Sequence, residues 1–120
     1  MRSLWAGGPA GSAAALAIRA KGWSVTLLEA APNFSPSSYK KVCGSFLNAE
    51  AVRALAEMDL LESVLKEGGR PVTSFLMTEP SGRAARTSLG SSGGGPLCVR
   101  RAVLDRVLLE QAARRGPRPQ

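Results

Sequence analysis

Apolar residues fall in short blocks along this chain, and their spacing changes from block to block. Residues 11–21, "GSAAALAIRAK", are dense in good helix formers and end at Gly22, a natural helix stop. In "WSVTLLEA", Val25, Thr26, Leu27 and Leu28 form a nearly continuous apolar and β-branched run, the pattern of a strand buried on both faces of a parallel sheet. Ahead of the helix, "MRSLW" supplies only Leu4 and Trp5 as core candidates, and Arg2 and Ser3 suit a doubly covered strand poorly. Residues 31–47 read as a long polar loop with Pro32 and Pro36, and loops of that length are functional or disordered. Asn48 predicts an N-cap for "AEAVRALAEM". Asp59, with Glu62 three residues on, has capping-box spacing for a second helix, "DLLESVLKEGG", that stops at Gly68. "PVTSFLMT" and "AARTSL" predict two strands joined by a turn at Glu79-Pro80-Ser81-Gly82, with proline in its second position. After the flexible connector "GSSGGGP", "RRAVLDRVLLEQAARRG" predicts an amphipathic helix. Leu104, Val107, Leu108, Gln111 and Ala112 share its inner face, Arg114 and Arg115 suit its C-terminal dipole, and Gly116-Pro117 ends it.

The order of elements describes an α/β chain: a βαβ start, a helical segment, a small antiparallel hairpin and a C-terminal helix. Composition narrows what such a chain can do. At 120 residues it amounts to about one small domain. Its net charge of +7 is scattered, and with two Trp, one Tyr and three Phe it lacks stacking platforms for nucleic acid. An anionic small ligand accounts for positive charge equally well. The chain has two cysteines and no histidine, which removes the usual Cys/His metal sites and Ser-His or Cys-His catalysis. Cys43 and Cys98 make no disulfide framework, so a reducing cytoplasm is expected. No apolar run approaches the ~20 residues of a membrane span. Arg2 and the small, apolar stretch to Ala20 outline a secretory signal, but Gly7, Gly8, Pro9 and Gly11 break it and Arg19 interrupts its end.

The chemistry-bearing stretch is "AGGPAG", residues 6–11. A glycine loop between strand and helix binds phosphates because backbone N–H groups and the helix N-terminus face the anion. In the G-x-G-x-x-G pattern the three glycines make the tight turn, admit the phosphates and let helix pack on strand. Ala6 holds the first place here, Gly8 the second and Gly11 the third. Taken alone, the loop is better explained by a plain Gly-Pro turn. Glu29 adds weight: it ends the next strand, about 20 residues on, where a carboxylate accepts hydrogen bonds from ribose hydroxyls.

At this point "GGPAGSAAALAIRAKGWSVTLLEA" resembles the opening of FAD-dependent oxidoreductases of the group A flavin monooxygenase and geranylgeranyl-reductase type. "KVCGSFLNAEAVRALAEMDLLESV" resembles that family's Cys-Gly segment and following helices, and "CVRRAVLDRVLLEQAARRG" resembles its Arg-x-x-Leu-Asp helix, with Arg101, Leu104 and Asp105 in the matching places. The resemblance implies a partial Rossmann-like FAD-binding domain. In it Gly7, Gly8, Pro9, Ala10 and Gly11 line the pyrophosphate and Glu29 holds the adenosine ribose. Lys41 falls where the family often has a basic residue near the cofactor, with a solvated lysine as an equal reading. Cys43-Gly44 lies on the loop approaching the flavin, Cys43 read first as a small buried thiol. Arg101 contacts FAD from the start of the last helix, where a cation is otherwise unfavourable and wants an anionic partner. Asp105 supports the first turn of that helix. The flavin carries the redox chemistry, with NAD(P)H as electron donor and a small organic or isoprenoid molecule as substrate. The family continues into a Gly-Asp segment for the ribityl phosphate and into a substrate domain, neither of which occurs in this sequence. Residues 1–120 are therefore expected to be the N-terminal part of an FAD/NAD(P)-binding domain. A non-catalytic interaction module and an NAD-binding Rossmann protein are the alternatives; the long loop after Glu29 and the Arg-x-x-Leu-Asp helix weigh against the latter.

Overall fold

Arg2–Leu4 form the first strand, β1, and pair in parallel with β2, Val25–Leu27, with Arg2 opposite Val25 and Leu4 opposite Leu27. The computed structural model describes residues 2–4, 7–30, 45–90 and 94–115. It divides into two units, Met1–Cys43 with Arg101–Gln120, and Gly44–Arg100. The unpromising "MRSLW" thus does supply a strand. β2 is only half-buried and Leu28 is exposed, so the expected double-sided burial is not met. The physical reason is the small sheet: among the described residues β1 pairs with β2 alone, and α1 packs on β2.

Helix α1, Pro9–Ala20, starts two residues before the predicted span. Pro9 sits at its first position, where the missing N–H is no loss and the fixed φ is already helical. It stops where the sequence predicts: Gly22 has φ +84, its N–H reaches Arg19 O, and the N–H of Trp23 reaches Ile18 O. That left-handed closure favours glycine. Helix α4, Arg101–Arg114, packs on α1. The faces are Ser12, Ala15 and Leu16 on α1, and Leu104, Asp105, Val107, Leu108 and Ala112 on α4. Asp105, not Gln111, completes the buried face, because it is neutralised by Arg101. Arg19 Nη1, in the last turn of α1, donates to the carbonyls of Ala112 (2.8 Å) and Ala113 (3.3 Å), in the last turn of α4. The C-terminal ends of the two helices therefore meet. Running side by side, they carry Gly8 and Arg101 to the same end of the unit, the end at which parallel β1 and β2 finish.

The second unit is built on α2, Ala49–Glu57, and α3, Leu61–Lys66. Asn48 caps α2 as expected, its Oδ1 accepting from the Ala51 N–H at 2.9 Å. Asp59 does not cap α3: it has φ +55 and closes α2. Its N–H reaches Ala56 O and that of Leu60 reaches Leu55 O, which pairs two buried leucines across the closure. An aspartate tolerates this left-handed site better than most residues, and the capping box is lost to it. Gly68, φ +114, ends α3 in the same manner.

Around these helices run three two-residue strands: β3 (Phe46–Leu47), β4 (Arg70–Pro71) and β7 (Leu97–Cys98). β7 lies between the others, antiparallel to both. Phe46 and Leu47 were expected in the loop and Pro71 in the hairpin; strands of two residues carry no periodicity to read. The hairpin is β5, Ser74–Thr78, and β6, Ala84–Ser88, with Phe75 opposite Thr87 and Met77 opposite Ala85. Its predicted turn closes by Gly82 N–H to Glu79 O. The α/β arrangement expected from the sequence is the one observed. Among the described residues no helix is long and apolar enough to cross a membrane.

Candidate functional site

Two predicted features, the glycine loop and Glu29, meet at the strand-end of the first unit. Gly8 is the N-cap of α1 and offers no side-chain cap, and the first turn carries no acid. The opening N–H groups of the helix, among them those of Ala10 and Gly11, lack intrahelical partners and carry the positive end of its dipole. Pro9 contributes no donor but fixes the turn.

Gly7 is buried against Glu29. A Cβ placed on Gly7 would lie 2.8 Å from Glu29 Cβ and 3.0 Å from its Cδ, so the acid occupies the space a side chain would fill. The predicted ribose-binding carboxylate and the predicted phosphate loop are thus in contact. Ser12 fastens the loop from the other side: its fully buried Oγ donates to Gly7 O at 3.1 Å.

Arg101 opens α4 at the same end. Its Nε lies 2.6 Å from Asp105 Oδ1, with the arginine side chain 26% exposed and the aspartate fully buried. A buried carboxylate is costly without a partner, and the guanidinium provides one. Arg100 is exposed. Ala6, Lys41, Cys43 and Gly44 lie outside the described residues, so the first loop position and the flavin-side segment are not placed. Cys98 is an exposed free thiol on β7.

Sequence reasoning missed Ser12 as a contributor and undervalued Asp105. The signals existed: Ser12 is the one hydroxyl in the alanine-rich α1, and Asp105 stands one helical turn after Arg101.

Among the described residues the arrangement pairs no nucleophile with a base. Glu29 on Gly7 and the open N-terminus of α1 bring a carboxylate and unpartnered backbone N–H groups together at the glycine loop. Among the described residues no group of acids and cysteines could hold a metal ion. The second unit has a hollow of about 660 Å³, walled by apolar residues such as Val52, Ala56, Leu65, Val72 and Leu97, with Glu50, Arg53 and Thr73 also on its lining.

The family described as FAD binding domain matches residues 6–120. No curated protein matches the chain. Among solved structures, it is similar to PqsL of P. aeruginosa in complex with 2-aminobenzoylacetate, at 18% identity and a TM-score of 0.75, over 93% of this chain and 30% of that one. It is similar to a tetrameric form of 2-methyl-3-hydroxypyridine-5-carboxylic acid oxygenase at 23% identity and 0.72, over 93% and 28%. A third is the flavin-dependent monooxygenase PieE in complex with FAD and substrate, at 19% and 0.66, over 93% and 21%. The chain thus spans under a third of the length of these structures.

Proposed function

This chain belongs to the FAD binding domain family, and we propose that it forms the adenosine-diphosphate-binding part of a flavin-dependent monooxygenase. The observation that carries this reading is Glu29 seated on Gly7 at the open N-terminus of α1, with Arg101 at the same end. In this reading Gly7, Gly8, Pro9, Ala10 and Gly11 line the pyrophosphate. Glu29 takes the adenosine ribose, Arg101 meets phosphate charge, and Lys41 adds a basic group nearby. Ser12 keeps the loop in place. Bound flavin supplies the redox chemistry; the residues of this chain bind and orient.

Residues 1–120 then serve as the N-terminal part of an FAD/NAD(P)-binding domain. NAD(P)H is the proposed electron donor and a small organic molecule the substrate. Oxygenase names among the neighbouring structures support oxygenation over the double-bond reduction of a geranylgeranyl-reductase-like enzyme. Two cysteines in unrelated contexts make no disulfide framework, so a reducing cytoplasm is the proposed compartment.

Titration of FAD into the purified chain, read by flavin fluorescence, tests the proposal. Saturable binding, weakened about tenfold or more by Gly7→Val, which displaces Glu29, is expected. Unchanged fluorescence in a cooperatively folded chain would refute it.

A second reading, a protein-binding module without cofactor, draws on the hairpin. Phe75, Leu76 and Met77 are all exposed there, and a lone two-stranded hairpin is marginal in water. An FAD-dependent rise in melting temperature argues against it.

A further inference from the structure

We infer that Asp105 is a positioning residue: it fixes the Arg101 guanidinium at the N-terminal end of α4, so that a diphosphate meets an arginine already oriented. This rests on the reading of the first unit as a dinucleotide site. Three observations lead to it. Asp105 is fully buried in the α1–α4 face although it is charged, and its neighbours on that face are Leu104, Val107 and Leu108. It holds Arg101 through Nε at 2.6 Å, while the arginine keeps 26% of its side chain exposed. Arg101 is the first residue of α4, where the helix dipole disfavours a cation.

Stability does not account for that arrangement. Burying a carboxylate among leucines and valines requires its desolvation, and an apolar residue of similar size generally serves the packing as well or better. What the aspartate adds is geometric. An arginine on a flexible stem loses rotamer freedom when it grips an anion, and that loss weakens binding. Held by a buried acceptor one turn away, Arg101 has already given up much of that freedom. The acceptor engages Nε, on one edge of the planar fork, and so fixes the plane of the guanidinium.

The test is a double-mutant cycle on the full chain, with ADP and adenosine as paired probes in calorimetric titrations. The two share base and ribose and differ by the diphosphate. Asp105→Leu, which keeps the helix face filled, and Asp105→Asn are each made in wild-type and Arg101→Ala backgrounds, with thermal melts on all. The expected result is an ADP affinity reduced about tenfold by either Asp105 variant, with adenosine affinity changed less than about twofold. In the Arg101→Ala background the Asp105 substitution should add almost nothing. Equal losses for ADP and adenosine, the same loss with and without Arg101, or wild-type ADP affinity in a folded Asp105 variant would each overturn the proposal. So would loss of the cooperative melt in both variants, which would assign Asp105 to folding. A wild-type chain that binds neither probe would instead remove the dinucleotide reading, and this inference with it.

Discussion

Between α2 and α3 the interior is aliphatic: Val52, Leu55, Leu60 and Val64 are buried. Between α1 and α4 the interior also holds Ser12 and Asp105, the buried polar residues among those described, both fully shielded. The first interior follows from transfer of apolar surface out of water, about 1.5–3 kcal/mol for each large side chain. The second departs from it, and each departure has a partner: Ser12 the Gly7 carbonyl, Asp105 the Arg101 guanidinium. Both partners lie at the end where the glycine loop and Glu29 meet. Each buried polar group thus has its own partner, whereas the α2–α3 interior is held by apolar packing.

The comparison can be broken at several points. Leu60→Ala, in the aliphatic interior, should destabilise by about 2–5 kcal/mol, read from urea unfolding. ADP affinity of the remaining folded chain should stay unchanged, and a parallel loss of affinity would blur the division between the two interiors. Arg19→Ala removes the charged donor that ties α1 to the end of α4. It should cost about 1–2 kcal/mol and speed amide exchange in the last turn of α4. Ser12→Ala should cost about 1 kcal/mol and weaken ADP binding, because the freed Gly7 carbonyl loosens the loop. Unaltered ADP affinity would reduce Ser12 to a packing role. The smallest change is a gain. Asp59→Gly relieves a left-handed non-glycine residue and should raise stability by about 0.5–1 kcal/mol in a thermal melt.

Much of this was legible in the sequence, for local reasons. The ends of α1 and α3 were readable because Gly22 and Gly68 serve a left-handed closure, and the start of α2 because Asn48 caps it. The glycine loop and Glu29 were each singled out by loop, helix and strand in order, while their contact at Gly7 emerges from the structure. Other features had no local signature. The two-residue strands β3, β4 and β7 are defined by partners distant in sequence. Asp59 matched two motifs, a cap for α3 and a closure for α2, and burial of Leu60 with Leu55 decided for the closure. Asp105 was misjudged because apolar periodicity assigns every acid to the surface, whereas an arginine one turn earlier allows it inside. Arg101 was singled out by family resemblance and by its awkward place at a helix start; its fixing partner emerges only in three dimensions.

Calorimetric titration of ADP into the wild-type chain, beside Glu29→Ala, tests the central claim most directly. The account predicts saturable binding of a single equivalent, weakened about tenfold or more when the Glu29 carboxylate is removed. No saturable heat from a chain that still melts cooperatively, or binding indifferent to Glu29, would contradict it.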